Sequence, residues 1–339
     1  MEIYNHIIEP KLDIFKYFLG NNLCFLDIET TGFSRKYNQV YLIGLVYYNE
    51  SEEQWNLKQI FAEDLNEEVE ILNCFNNMVS NFKTLITYNG DNFDIPFLKS
   101  RMKYYKIENK ISKINSFDIY REIKANDSYL NFENLKLKTI EENLGIYRED
   151  PYTGKDCIDF YFQYVDNNDK ALKENILRHN YEDLYYLAEI VEIFEVLENI
   201  KSLEVDLGTD NNVTNLNNNK VCIRILDILI KGNVLNIHCK TTPIKKKTNI
   251  IHYGENFNLK WQNENSLMID LDIKEGWITP TKKASYIEKS QLGMNNILDS
   301  SLYMVPDNLI LLKVEKKWMM ENIKNIIKEL ILNILKQKQ

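Results

Sequence analysis

Leu23-Cys24-Phe25-Leu26-Asp27-Ile28-Glu29-Thr30-Thr31-Gly32 is an apolar run that closes on two acids two residues apart. Such a run reads as a strand, and in a strand residues i and i+2 project to the same side, so the Asp27 and Glu29 carboxylates crowd together. Two like charges buried side by side need a compensating cation. Hard divalent ions such as Mg²⁺ or Mn²⁺ prefer carboxylate oxygen, which makes the pair a candidate metal site. Alone, an acid pair at a strand end is more often a solvated edge, so the reading depends on further acids elsewhere in the chain.

Two more acidic stations follow. Leu85-Ile86-Thr87-Tyr88-Asn89-Gly90-Asp91-Asn92-Phe93-Asp94-Ile95-Pro96-Phe97-Leu98 combines a short apolar strand, an Asn-Gly turn and an acid before a proline that suits a helix start. Asp94 then sits on a strand-to-helix corner. Arg178-His179-Asn180-Tyr181-Glu182-Asp183-Leu184 lies in a segment whose Ile176, Leu184, Leu187, Val191, Phe194 and Leu197 recur with helical spacing. His179 and Asp183, four apart, share one face of that helix.

The succession Asp-Ile-Glu-Thr-Thr-Gly, Tyr-Asn-Gly-Asp-Asn-Phe-Asp and a late helical acid resembles the three motifs of the acidic-quartet (DEDD, DnaQ-like) 3′→5′ exonucleases of the ribonuclease H-like superfamily. Leu135-Lys136-Leu137-Lys138-Thr139-Ile140-Glu141-Glu142-Asn143-Leu144-Gly145-Ile146 and Tyr152-Thr153-Gly154 bring it closer to the bacterial YprB-type exonuclease domain. The resemblance covers roughly residues 20 to 197. It implies that Asp27, Glu29, Asp94 and Asp183 are the metal-binding acids and that His179 lies near the general base. One branch of these enzymes has a histidine five residues before the last acid, where this chain has Arg178. Another, including the YprB-type group, has a tyrosine four before it, where this chain has His179. Tyr181 points to another side of the helix and ranks below His179.

The implied activity is 3′→5′ hydrolysis of DNA or RNA, on a single-stranded 3′ end, with two Mg²⁺ or Mn²⁺ ions about 4 Å apart. Asp27 is the expected bridging ligand, with Glu29 and Asp183 beside it and Asp94 acting partly through water. Thr30, Thr31, Gly32 and Asn89 are expected to meet the terminal nucleotide. Arg121, Arg148 and Lys155 are candidate phosphate contacts, with surface solubility the default for each, and Asp118 is expected to be a structural cap rather than to shape the site. Two rivals stay open: an endonuclease of the same fold, and a nucleic-acid-binding module without catalysis.

The frame is that of an ordinary globular protein, with 339 residues, 44% hydrophobic and 27% charged. The opening Met1-Glu2-Ile3-Tyr4-Asn5 is acidic and no long uncharged apolar stretch follows, so neither signal peptide nor membrane span is expected, and a cytoplasmic protein is. Five cysteines without paired short spacing point to reduced thiols and away from a zinc cluster. Residues 1–199 hold 21 basic against 35 acidic residues (−14), whereas residues 200–339 hold 20 against 15 (+5). The second half is therefore a candidate substrate-gripping module.

The expected fold is α/β: a ribonuclease H-like mixed five-stranded sheet flanked by helices over 1–199, an Asn-rich linker over 200–220, and a β-rich accessory domain over 221–339 closed by an amphipathic helix. Strands are expected near 23–28, 40–48, 55–61, 84–88 and 114–118, and helices near 66–81, 95–106, 133–144, 156–166 and 170–199. In the second half, Val221–Ile230 is expected to pair with Val234–His238, Ser266–Ile273 with Trp277–Thr279, and 313–337 to form the closing helix. Lys245, Lys246 and Lys247 with Trp261 and Trp277 could grip and stack a single strand, but a solvated charge run and two core aromatics is the favoured reading.

Overall fold

The stretch Leu23–Thr30 is an interior strand, and its apolar residues are buried on both faces, as a strand covered by helices requires. The computed structural model describes residues 1–339 except 12, 19, 21, 208–219, 244–248, 263–264, 295–296 and 338–339. It divides into two compact units, Met1–Ala125 with Phe132–Phe194, and Asn126–Asn131 with Glu195–Gln339. Among the described residues no helix is long and apolar enough to cross a membrane.

The first unit is built on β1 (Glu2–Ile8), β2 (Leu23–Thr30), β3 (Val40–Asn49), β4 (Gln54–Phe61), β5 (Thr84–Thr87) and β6 (Asn115–Asp118). They form one mixed sheet in the order β1-β4-β3-β2-β5-β6, antiparallel from β1 to β2 and parallel from β2 to β6. The sheet thus has one strand more than the five expected: β1, whose mostly exposed residues give no buried periodicity, pairs along β4 at the edge. Helices α1 (Glu68–Val79), α2 (Asp94–Tyr104), α3 (Ile119–Ala125), α4 (Leu137–Asn143), α5 (Gly154–Asn167) and α6 (Lys170–Glu189) accompany it.

The α5–α6 hairpin carries its own signals. Thr153 and Asp156 form a capping box at the start of α5, Asn168 turns the chain in a left-handed conformation (φ 56°), and the Asp169 side chain caps α6. The expected continuous helix 170–199 is interrupted by a 3₁₀ turn at Ile190–Glu192 before α7 (Ile193–Lys201).

The second unit contains β7 (Ser202–Asp206), β8 (Lys220–Lys231), β9 (Val234–Thr241), β10 (Ile250–Tyr253), β11 (Phe257–Gln262) and β12 (Ser266–Asp272) in one antiparallel sheet. A smaller sheet holds β13 (Lys274–Thr279), β14 (Lys282–Glu288), β15 (Leu309–Val314) and β16 (Lys317–Trp318), with the short α8 (Lys289–Leu292) and the closing α9 (Met320–Gln337). Ile323, Ile326, Ile327, Leu330, Ile331 and Ile334 of α9 enter the same core as the inward residues of β8, β9 and β12. Tyr129 packs against this core, the Trp318 N–H donates to the Ser128 carbonyl at 2.8 Å, and Lys317 Nζ donates to the Asp127 carboxylate at 2.6 Å.

Several expectations change here. β8 does pair with β9 around Gly232, but β12 pairs with β9 and β11 while β13 pairs with β14, so Ser266–Ile273 and Trp277–Thr279 do not form a hairpin and belong to different sheets. The closing helix starts at Met320, because the alternating Leu309–Val314 run is a strand. Ser202–Asp206 is also a strand, and the asparagine-rich residues 208–219 lie outside the described residues, as do Lys245, Lys246 and Lys247. Trp261 is fully buried, as the core-aromatic reading expects, whereas Trp277 departs from that reading and is 68% exposed.

Candidate active site

β2 brings Asp27 and Glu29 to the face that α6 covers. Every third or fourth residue of α6 returns to that face, and Ile176, His179, Asn180, Leu184 and Leu187 are buried there, with Asp183 half-buried between them. α2 supplies Asp94, whose Oδ1 accepts from the Ile28 N–H at 3.2 Å and so reaches back to the β2 backbone between the two acids. The corner before α2 is tight. Asn89 has φ 61°, and a Cβ at Gly90 would lie 2.4 Å from the Thr87 side chain. The buried Asp118 accepts from the N–H groups of Asn89 (2.8 Å) and Asp91 (3.1 Å), so it acts as the cap that holds this loop.

Glu29, His179 and Asp183 offer ligand atoms within 4.8 Å of one another. His179 Nε2 lies 3.7 Å from both Glu29 Oε1 and Asp183 Oδ2. Its Nδ1 meets the buried Asp150 carboxylate, which fixes the ring, while the Asp150 N–H donates to Glu182 Oε2 at 3.0 Å. Burial acts to lower the His179 pKa, and the charges of Asp183 and Glu29 together with the Asp150 contact outweigh it and raise it.

The carboxylates feel one another strongly. Burial pushes Asp27 far above the usual carboxylate range, with Asp183, Asp94 and Glu29 adding to the rise and the Asn180 hydrogen bond opposing it. Glu29 is pushed up to about 8 by burial, against His179 and with Asp183 and Asp94. Asp94 is pushed up to about 7, again by burial first, with its backbone donors pulling down. A cluster of hard oxygen donors that resists ionisation in this way fits the chemistry of a divalent cation site.

Arg148 is not turned to solvent: it grips the buried Glu141 with two donors and Asp183 Oδ1 with a third. Arg121 pairs with Asp91. Both arginines thus hold carboxylates rather than standing as open phosphate contacts, while Lys155 is exposed. Thr30, Thr31 and Gly32 make a tight turn, in which Thr30 Oγ1 donates to the Gly32 carbonyl at 2.9 Å and the Thr31 N–H donates to the Gln39 carbonyl at 2.9 Å. Gly32 has φ 148°, and a Cβ there would lie 2.8 Å from the Asn38 side chain. Tyr181 stands apart from this cluster, edge-on to His6 and stacked with Tyr185.

Asp150, Asn180, Glu141 and Gly44 were not anticipated. Asn180 is three residues before Asp183 and so shares its helix face, and Gly44 interrupts an apolar strand, which signals a close approach. Asp150 and Glu141 carry no comparable signal, because their importance comes only from what the fold sets beside them.

Uncharacterized protein YprB of Bacillus subtilis (strain 168) is 28% identical over 173 residues, 50% of this chain and 41% of that protein, so the match takes in less than half of the relative's length. The family B DNA polymerase of the hyperthermophilic archaeon Pyrobaculum calidifontis superposes with a TM-score of 0.41 at 14% identity, over 51% of this chain and 24% of that one. E. coli Exonuclease I in complex with a dT13 oligonucleotide does so with a TM-score of 0.31 at 12% identity, over 63% of this chain and 54% of that one. The family model described as RNase_H superfamily matches residues 24–195, a span that runs from within β2 through α6 and takes in all four clustered acids, and the chain belongs to that superfamily.

Proposed function

We propose that the protein is a metal-dependent 3′→5′ exonuclease of the acidic-quartet type. The observation that carries this reading is the convergence of four carboxyls from three separate elements, Asp27 and Glu29 on β2, Asp94 on α2 and Asp183 on α6, with Asp27, Glu29 and Asp94 raised first by burial and further by their acidic neighbours. Such a cluster is stable when cations occupy it and strained when they do not. Asp27, Glu29, Asp94 and Asp183 would hold two Mg²⁺ or Mn²⁺ ions, which when bound neutralise the phosphodiester and make water a better nucleophile.

The chain's own groups do the rest. His179, fixed through Nδ1 by Asp150, presents Nε2 to the acids and accepts the proton of the attacking water. Asp94 is tied to the Ile28 backbone and Asp183 to Arg148, so neither carboxylate has to reorganise when substrate arrives. The turn at Thr30-Thr31-Gly32 and the Asn89 corner offer backbone surface to a terminal nucleotide.

The test is to incubate DNA and RNA, labelled at either end, with the protein and Mn²⁺ beside Asp27→Ala. We expect stepwise loss of nucleoside monophosphates from the 3′ end of linear strands and none in the variant. Cleavage of circular strands would assign an endonuclease instead, and binding without cleavage at protein in large excess would leave a binding module.

A further inference from the structure

Asp27, Gly44 and Gln59 lie in one row across β2, β3 and β4, each directly opposite the next. Residues opposite one another in antiparallel strands project on the same face, so this row has a side chain at each end and a gap in the middle. α6 descends into the gap. A Cβ at Gly44 would lie 2.2 Å from Leu184 Cδ1 and 2.4 Å from Asn180 Oδ1.

Asn180, fully buried, spans the gap. Its Nδ2 donates to Asp27 Oδ2 at 2.8 Å, and its Oδ1 accepts from Gln59 Nε2 at 2.9 Å. Gln59, also buried, donates through the same Nε2 to the Leu177 carbonyl at 2.8 Å. The direction of this chain is forced. A backbone carbonyl only accepts, so Gln59 must turn its amino group to Leu177, and the second hydrogen of that group then needs an acceptor. Asn180 supplies it with its oxygen, which leaves the Asn180 amino group facing Asp27 Oδ2, whose carboxylate is acceptor-only once a cation has displaced its proton. The Leu177 carbonyl by itself therefore sets the direction of the chain, and the two amides have one arrangement.

Resting on the metal-site reading of Asp27, we propose that Asn180 and Gln59 are positioning residues, a buried two-amide relay that starts at the Leu177 carbonyl and fixes one oxygen of Asp27 for cation binding. Neither touches substrate. Groups that orient a ligand through a hydrogen bond typically change metal affinity by about 10–100-fold when removed. Merely satisfying two buried amides would stabilise the fold without altering that affinity.

The experiment is calorimetric titration of the full chain with Mn²⁺ alone, comparing wild type, Asp27→Ala, Asn180→Leu and Gln59→Met, with folding checked by circular dichroism. Both relay variants keep side-chain length and remove the donor. We expect Mn²⁺ affinity to fall by about 10–100-fold in Asn180→Leu and by a smaller factor in Gln59→Met, whose effect must pass through Asn180. Cleavage should return in both at saturating Mn²⁺, which separates positioning from catalysis. If Asn180→Leu does not fold, Gln59→Met decides. Wild-type affinity in the folded relay variants, with binding lost in Asp27→Ala, overturns the relay and leaves the metal site standing. Absence of Mn²⁺ binding by the wild type overturns the metal site and the relay with it.

Discussion

His179 is gripped on one ring nitrogen by a buried carboxylate and turned with the other toward two of the clustered acids, the arrangement that fixes a tautomer. Replacing it by alanine should reduce single-turnover cleavage by about 100-fold or more, the usual scale of a placed proton acceptor. Asp150→Asn should lower the rate less, since the ring remains and only its hold changes. Full activity in His179→Ala would hand the proton to solvent. The four acids were legible as sequence because each sits in a short motif with a recognisable turn or period. Asp150 was not, because its partner is 29 residues away and its loop has no pattern of its own. The grip of Arg148 on Glu141 and Asp183 was not expected either, for the related reason that a cation's partner is decided by the fold and not by its neighbours in the chain.

Gly44 shows how a whole helix depends on one missing methyl group. Because a Cβ there would overlap Leu184 and Asn180, Gly44→Ala must push α6 off β3. The expected cost is about 1–3 kcal/mol, read as a lower urea midpoint, together with weaker Mn²⁺ binding. Unchanged stability would mean that α6 can shift freely, against the close fit of Leu184 and Asn180 over Gly44. The strands β2 to β6 followed directly from apolar runs bounded by turns, and α6 from its period. β1 was missed because an edge strand with mostly exposed side chains carries little periodicity, and the pairing of β12 with β13 was wrong because a short turn such as Lys274-Glu275-Gly276 does not by itself decide which strands it joins.

The acid cluster also sets how the first unit responds to pH. Glu29 and Asp94 keep their protons in the fold up to about 8 and about 7, whereas in the unfolded chain they release them near 4.5 and 3.8. The folded state therefore binds more protons through this window, and its advantage, complete below the unfolded values, is lost as pH rises through the folded ones. His179, raised by Asp183 and Glu29 against its burial, acts in the same sense. In divalent-free buffer the melting temperature should fall as pH climbs through this window, and Mg²⁺ or Mn²⁺ should restore most at the alkaline end. Equal melting with and without divalent ion at every pH would count against the cluster as a cation site. At this scale the sequence offered a boundary and a charge contrast, but no hint that Asn126–Asn131 belongs to the second unit. A fragment beginning at Glu195 leaves behind the hexapeptide that carries Tyr129 and the partners of Lys317 and Trp318, so it is expected to be insoluble by itself and recoverable when that peptide is supplied in trans.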